Sequence, residues 1–125
     1  MTSDFTETEI GYHKKTDHYL VFFGNNKSTE DSIRKQFPFL ELRNIKQTHS
    51  DICVSSTHQI PEADAHWTSE KNKALLIKTA DCIPVFLTTD KMAVAIHAGW
   101  RGVANHITRK SVSYTHLTLP TTPYV

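Results

Sequence analysis

Two histidines and one cysteine, His49, Cys82 and His97, are of types that could together hold a metal ion. Cys82 and His97 each follow a short apolar run, at 74–77 and 92–96, and such runs bounded by pattern-breaking residues are typical of buried strands. His49 follows a hydrophobic segment and precedes another strand-like stretch. One thiolate and two imidazoles suit zinc, and three protein ligands rather than four is the pattern of a catalytic site with an open position.

The long sequence separation of these residues limits how such a site could form. Zinc fingers and ribbons pair their ligands through short local knuckles, so this site would have to be assembled by tertiary folding from separate strands. Without further context, a cysteine such as Cys82 is more often a small buried hydrophobic residue than a metal ligand. A histidine near a core is likewise more often a hydrogen-bonded polar residue than a ligand. Five of the six other histidines are considered and receive no role from the sequence: His13, His18, His58, His66 and His106.

Four segments of the chain form a specific set of motifs: QTHSD at 47–51, EADAHWT at 62–68, TADCIPVFL at 79–87 and IHAGWRG at 96–102. In their order and approximate spacing they resemble the YfiH-like laccase-domain family, whose members are also described as polyphenol oxidases, purine nucleoside phosphorylases and peptidoglycan editing factors. The resemblance extends over roughly residues 38–110, and the combination of ADC with HAGWRG is its most specific part.

This resemblance implies a zinc site formed by His49, Cys82 and His97, beside a cleft where purine nucleosides undergo phosphorolysis and adenosine is deaminated. Phosphorolysis requires a group that steers phosphate to the sugar, and Arg101 is the local candidate because a guanidinium can hold phosphate through two parallel hydrogen bonds. Deamination would use a metal-activated water. Asp81 would orient a ligand or move a proton, or alternatively cap the next turn. The implied partners are purine nucleosides and phosphate; the preferred nucleoside and the oligomeric state stay open.

Residues around the proposed ligands have two interpretations each. Asp64 is expected to fix a loop rather than to perform chemistry. Trp100 would either stack on a purine or pack between a strand and a helix. Gly99 and Gly102 would let backbone N–H groups approach an anion, or would permit a positive φ.

Three other functions remain open from the sequence. In the first, Cys82 is the nucleophile and His97 the base of a cysteine hydrolase that acts on an amide such as a peptidoglycan precursor. In the second, the chain is a non-catalytic fragment or binding module. A copper-dependent polyphenol oxidase ranks lower, because three ligands of this type provide no evident multicopper cluster.

The composition predicts one modest globular core, and the net charge shows no bias toward binding polyanions or lipid. The chain has 125 residues, is 38% hydrophobic and carries a formal charge of +1, so neither nucleic acid nor a membrane is an expected partner. The N-terminus has acidic residues and no apolar signal core, which favours a cytoplasmic location, where Cys53 and Cys82 would be reduced.

The predicted elements give an α/β (α+β) fold, which the resemblance specifies as a partial domain with layered α/β/β/α architecture and mixed sheets. Residues 111–125, rich in Thr and Pro, are expected to be a non-native tail after a domain portion at 1–110. Ser28 is expected to cap a helix at 29–36, and a second helix is expected from Gly102. Strands are predicted at 18–23, 40–46, 51–55, 74–79, 83–88 and 92–97.

Overall fold

The computed structural model describes residues 4–80, 82–99 and 106–114, with the backbone alone at 113 and 114. The chain divides into two compact units, Met1–Glu41 and Leu42–Val125. The predicted boundary at residue 110 falls inside the last described helix, and residues 115–125 lie outside the described residues.

The first unit contains a three-stranded antiparallel meander and one helix. The helix ends before Phe37, a buried ring that contacts His13 and Phe22 edge to face, with ring centroids 5.4 and 5.9 Å away. The elements are β1 (Thr6–Thr8), β2 (Gly11–Lys15), β3 (Leu20–Gly24) and α1 (Glu30–Gln36). Of these, β3 and α1 were predicted within two residues, whereas β1 and β2 were not.

Thr29, rather than the predicted Ser28, caps helix α1. The Thr29 hydroxyl accepts a hydrogen bond from the Ser32 amide at 3.1 Å, and the Ser32 hydroxyl accepts one from the Thr29 amide at 2.8 Å. This reciprocal pair is a capping box, in which serine replaces the usual Glu or Gln. Glu30 and Asp31 in the first turn add favourable charge at the positive end of the helix dipole.

The second unit is built around a four-stranded mixed sheet with the order β5-β6-β9-β8. Strands β5 and β6 are parallel, and the other two pairs are antiparallel. Strands β4 and β7 form a separate two-stranded sheet. The elements are β4 (Glu41–Arg43), β5 (Cys53–Ser55), β6 (Ala65–Thr68), β7 (Lys73–Leu75), β8 (Ile83–Thr88), β9 (Ala93–Ala98) and α2 (Ile107–Tyr114). The chain is therefore an α+β protein with a mixed sheet, as predicted.

The two faces of the four-stranded sheet differ in polarity, because successive side chains of a strand point to opposite sides. One face is apolar and packs against helix α2 in a core that includes Val94, Ile96 and Ile107. The other face carries buried polar side chains just before β6, at alternate positions within β6 and near the end of β9: Asp64, His66, Thr68 and His97. Burying polar groups is unfavourable unless they are hydrogen-bonded, so this second face requires specific partners.

The predicted strands are present but differ in extent. The segments predicted at 40–46 and 74–79 are only three residues long, as β4 and β7, whereas β8 matches its prediction and β9 is displaced by one residue. Strand β6 was not predicted.

Within the described residues, no helix combines the length and apolar character that spanning a bilayer requires.

Candidate metal centre

Antiparallel pairing of β8 and β9 brings Cys82 and His97 to the same end of the sheet. Cys82 immediately precedes β8, and the register pairs Ile83 with Ala98 and Pro84 with His97. The prediction that Cys82 ends an apolar strand was wrong, because β7 stops at Leu75 and Cys82 instead lies directly before the next strand. The convergence therefore results from the start of one strand lying beside the end of its neighbour.

His49 completes a group of three residues whose ligand atoms all lie within 4.8 Å of one another. His97 is buried, Cys82 is half-buried and His49 is exposed, so the group lies at the surface end of the sheet. The two imidazole rings meet edge to face, with centroids 5.4 Å apart. Ligands on one tetrahedral zinc stand about 3.4–3.8 Å apart, given Zn–N and Zn–S bonds near 2.1 and 2.3 Å. The three side chains therefore fit a metal ion after at most a small closure.

Gly99 lies against all three of these side chains. A Cβ atom placed on Gly99 would lie 3.1 Å from His49 Cδ2, 3.4 Å from Cys82 Sγ and 3.8 Å from His97 Cε1. The first of these distances is tight for a carbon contact, so any side chain at this position would press on the ligands. Glycine is therefore required at position 99 because a side chain would not fit between the three ligands, and not because the backbone has a positive φ.

The loop that carries His49 is held by the carboxylate of Asp64. Three successive backbone amides donate to it: Thr48 N to Oδ1 at 3.0 Å, His49 N to Oδ2 at 3.2 Å and Ser50 N to Oδ1 at 2.8 Å. The Ser50 hydroxyl adds a fourth bond to Oδ1 at 2.8 Å. His49 has φ +61°, and a turn of this kind directs consecutive N–H groups at one anion. Asp64 thus fixes this loop, as the sequence predicted.

The same carboxylate contacts His97, which the sequence did not predict. His97 Nδ1 lies 2.7 Å from Asp64 Oδ2, and the His97 amide donates to the Asp64 carbonyl at 2.7 Å across the β6–β9 pair. Burial by itself would raise the pKa of the Asp64 carboxyl, but the hydrogen bonds from His97, Ser50 and Thr48 outweigh burial and leave this pKa below its usual value. An ionised Asp64 carboxylate can only accept, so this hydrogen bond requires His97 Nδ1 to be its donor.

Gln47 joins the His49 loop to the segment that precedes Cys82. Its side-chain amide donates to the Lys78 carbonyl at 2.6 Å, and its side-chain carbonyl accepts from the Lys78 amide at 2.6 Å. At the next residue, the Thr79 hydroxyl donates to the carbonyl of Cys82, three residues further along the chain, at 2.5 Å. The glutamine side chain thus takes the place of a neighbouring strand, and it holds two of the ligand-bearing segments together.

The two cysteines are both free thiols with different environments. Burial raises the pKa of the Cys53 thiol, which lies in the apolar core, whereas Cys82 is half-buried beside the histidines.

Of the other predicted site residues, Arg101 and Asp81 lie outside the described residues, as do Trp100 and Gly102. Their predicted roles stay predictions.

His66, to which the sequence gave no role, is fully buried on the polar face of the sheet. Its Nε2 lies 3.1 Å from the Leu76 carbonyl, and its Nδ1 has no hydrogen-bond partner among the residues that the structure describes. Burial lowers the pKa of His66 to about 4; the positive charge of Arg43 also lowers it, and the hydrogen bond to Leu76 opposes the shift. The imidazole is therefore neutral at physiological pH.

Residues 63–68 alternate in polarity, and this alternation is the sequence signal that could have predicted a strand carrying Asp64 and His66 on one face. Small or apolar residues occupy the odd positions, and Asp64, His66 and Thr68 occupy the even ones. This period of two is typical of a strand with two different faces. Gln47 has no comparable signal, because its partners are backbone atoms of a distant segment.

The model of one protein family, described as multi-copper polyphenol oxidoreductase laccase, matches residues 2–123. A purine nucleoside phosphorylase of Clostridium acetobutylicum is 32% identical over 108 residues, which are 81% of this chain and 46% of that protein. A purine nucleoside phosphorylase of Rickettsia prowazekii is 38% identical over 82 residues, 62% of this chain and 34% of that protein. The chain thus spans less than half the length of these curated relatives.

A solved structure supports the same relationship. The crystal structure of a Neisseria meningitidis protein superimposes with a TM-score of 0.63 at 26% identity, and the match covers 73% of this chain and 40% of that one. Because the family model covers nearly the whole sequence, the chain belongs to the multi-copper polyphenol oxidoreductase laccase family, the laccase-domain family that its four sequence segments predicted.

Proposed function

We propose that this chain carries the metal-binding part of a zinc-dependent purine nucleoside phosphorylase that also deaminates adenosine, with His49, Cys82 and His97 as the zinc ligands. The convergence of these three side chains is the observation that carries the proposal. The relatives from Clostridium acetobutylicum and Rickettsia prowazekii, which are named purine nucleoside phosphorylases, support the phosphorylase activity. A thiolate ligand suits the reducing cytoplasm that we propose as the location.

The residues of the chain have separate tasks in this proposal. Asp64 keeps the Nδ1 proton of His97 in place and so presents Nε2 to the metal. Gly99 leaves room in front of the three ligands. Arg101 holds phosphate, and Asp81 orients a ligand or moves a proton. When bound, zinc would supply Lewis acidity at its open position.

The choice of zinc over a multicopper centre rests on the donor set. Among the described residues, one group of three His, Cys, Asp or Glu side chains is close enough to hold an ion, whereas a multicopper cluster needs several such groups. One thiolate and two imidazoles also match the ligand types of catalytic zinc sites.

Elemental analysis of the purified protein tests the metal site directly. We expect about one zinc per chain, and its loss in His49→Ala, Cys82→Ala and His97→Ala. Cys53→Ala is the matched control, because it removes a thiol from the apolar core and should keep the metal. Folded wild-type protein without zinc would contradict the proposal.

Assays on the same preparations test the activity. Inosine with phosphate should release hypoxanthine, and adenosine should release ammonia, in both cases only with protein that retains zinc. Zinc-loaded protein without base release would restrict the proposal to metal binding.

A second function, a cysteine hydrolase acting on an amide, is favoured by one observation. Cys82, His97 and Asp64 form a nucleophile, base and carboxylate in the order that hydrolytic triads use. In this alternative the thiol itself attacks the substrate, and His97 accepts its proton.

Alkylation separates the two functions. A zinc-ligating Cys82 should resist iodoacetamide until a chelator is added, whereas a nucleophilic Cys82 should react quickly in metal-free protein and remain equally reactive with chelator. Cys53 provides an internal reference, because its buried thiol with a raised pKa should react slowly in both cases.

A further inference from the structure

We propose that Asp64 is a positioning residue that sets the geometry of two of the three metal ligands, although it does not itself belong to the ligand group. This inference rests on the proposed metal site. It concerns the means by which the chain prepares that site before any ion binds.

The first step of the argument is the sharing of one carboxylate between two ligands. Oδ2 of Asp64 accepts from the His97 ring at 2.7 Å and from the His49 backbone amide at 3.2 Å. His49 and His97 approach the site from a loop and from a strand, and among the described contacts Asp64 is the side chain that is hydrogen-bonded to both residues. Its position therefore links the placement of one imidazole to that of the other.

The second step concerns the protonation of His97. Amide and hydroxyl donors of residues 48–50 surround the Asp64 carboxylate, which is fully buried. Because these donors point at both carboxylate oxygens, each oxygen acts as a hydrogen-bond acceptor. The His97 nitrogen that faces Asp64 must therefore be the donor. The other ring nitrogen then holds the lone pair that a metal needs, and no rearrangement has to precede binding.

The third step concerns the backbone of His49. A non-glycine residue with φ +61° is disfavoured and persists where its surroundings impose it. In this conformation the three amides of residues 48–50 all donate to Asp64, so the carboxylate compensates for the strain. Without that anion, the loop would relax and carry the His49 ring away from Cys82 and His97.

The test compares Asp64→Asn with Thr68→Val. Thr68 is another buried polar residue on the same face of the sheet, at the opposite end of β6, and its hydroxyl accepts a hydrogen bond from the Glu70 amide at 3.1 Å. Asparagine keeps the shape of the aspartate side chain but replaces one accepting oxygen with an NH₂ group, which would face the donors of residues 48–50 or the His97 ring. We expect zinc affinity, measured by competition with a chromophoric chelator, to fall about 10–100-fold in Asp64→Asn and to stay within twofold in Thr68→Val. The cobalt-substituted protein should show an altered absorption spectrum in Asp64→Asn alone, which a general loss of stability would not produce.

A measurement on the wild-type protein keeps the inference testable if Asp64→Asn does not fold. Nitrogen-15 NMR of the metal-free chain should show His97 protonated at Nδ1, and Ser50→Ala should weaken zinc binding less than Asp64→Asn does. Protonation at Nε2, or unchanged affinity in Asp64→Asn while the wild type binds zinc, would overturn the role of Asp64. Absence of zinc binding in the wild type would instead refute the metal site, and the NMR result would still decide the pairing of Asp64 with His97.

Discussion

At the scale of single residues, the absence of a side chain at position 99 matters as much as the ligands do. The three candidate ligands surround Gly99 so closely that a methyl group there would touch each of them. Packing against a site of this kind can control a metal without contributing a ligand.

We predict that Gly99→Ala lowers zinc affinity about tenfold, because His49 must move by a few tenths of an ångström to accommodate the new Cβ atom. Chelator competition measures the effect. Gly24→Ala is the control, since its Cβ atom would crowd Ser28 at 2.7 Å rather than a candidate ligand. Equal zinc affinities for the wild type and Gly99→Ala would show that the site tolerates the methyl group.

His66 is a second residue whose effect can be predicted, through its protonation. The unfolded chain takes up a proton on this histidine below pH 6.5, whereas the folded chain does so only near pH 4. Between these values the unfolded state binds more protons, so the free energy of unfolding should decrease as the pH falls, by up to about 1.4 kcal/mol per pH unit from this group. Below pH 4 this contribution should level off.

Urea unfolding of metal-free protein across that pH range checks the His66 prediction. His66→Gln should show a shallower pH dependence than the wild type, and His18→Gln, which changes an exposed histidine, should retain the wild-type dependence. A wild-type slope in His66→Gln would mean that the buried imidazole does not produce the effect.

At the scale of elements, the segment between β7 and β8 depends on one side chain from elsewhere in the sequence. Gln47 makes both hydrogen bonds that hold the Lys78 backbone. We predict that Gln47→Ala accelerates hydrogen exchange of the Lys78 amide at least tenfold and weakens zinc binding, because Cys82 follows this segment. Gln59→Ala, at an exposed position, should change neither quantity. Unaltered exchange at Lys78 would show that another group protects this amide.

Helix α1 offers a test of the capping box. Thr29→Ala should destabilise the helix by about 1 kcal/mol, because the Ser32 amide loses its acceptor. Faster hydrogen exchange at the Ile33 amide, which donates to the Thr29 carbonyl, would report the loss. Thr29→Ser keeps the hydroxyl and should behave like the wild type; an identical effect in both variants would argue against the cap.

The elements that sequence could predict are those with an apolar pattern. Strands β8 and β9 lie in nearly continuous apolar runs, and the turn residues around Gly24 bound β3. Strand β6 escaped prediction because Asp64 and His66 look like loop residues until their partners on other segments are known. The ligands were predictable from four family segments, but the double role of Asp64 depends on the register between β6 and β9, which no local pattern specifies.

At the scale of the whole molecule, one sheet serves two purposes on its two faces. The apolar face packs with helix α2 and supplies the core, while the polar face holds Asp64, His66 and His97 in fixed positions. The ligand-bearing segments before β5 and β8 are anchored to that rigid frame, which favours a preformed site over one that folds around its metal.

The pairing of Asp64 with His97 has a consequence for how the sheet reaches its correct alignment. A shift of β6 by one residue against β9 would exchange the two faces, and it would drive a carboxylate and an imidazole into the layer beside helix α2 while Ala65 and Trp67 turned away from it. An unpaired buried carboxylate is so unfavourable that misaligned chains should reopen rather than persist. Asp64, which positions the candidate ligand His97 in the folded protein, therefore also disfavours this misalignment during folding, and replacing it with a hydrophobic residue for added stability would remove that penalty.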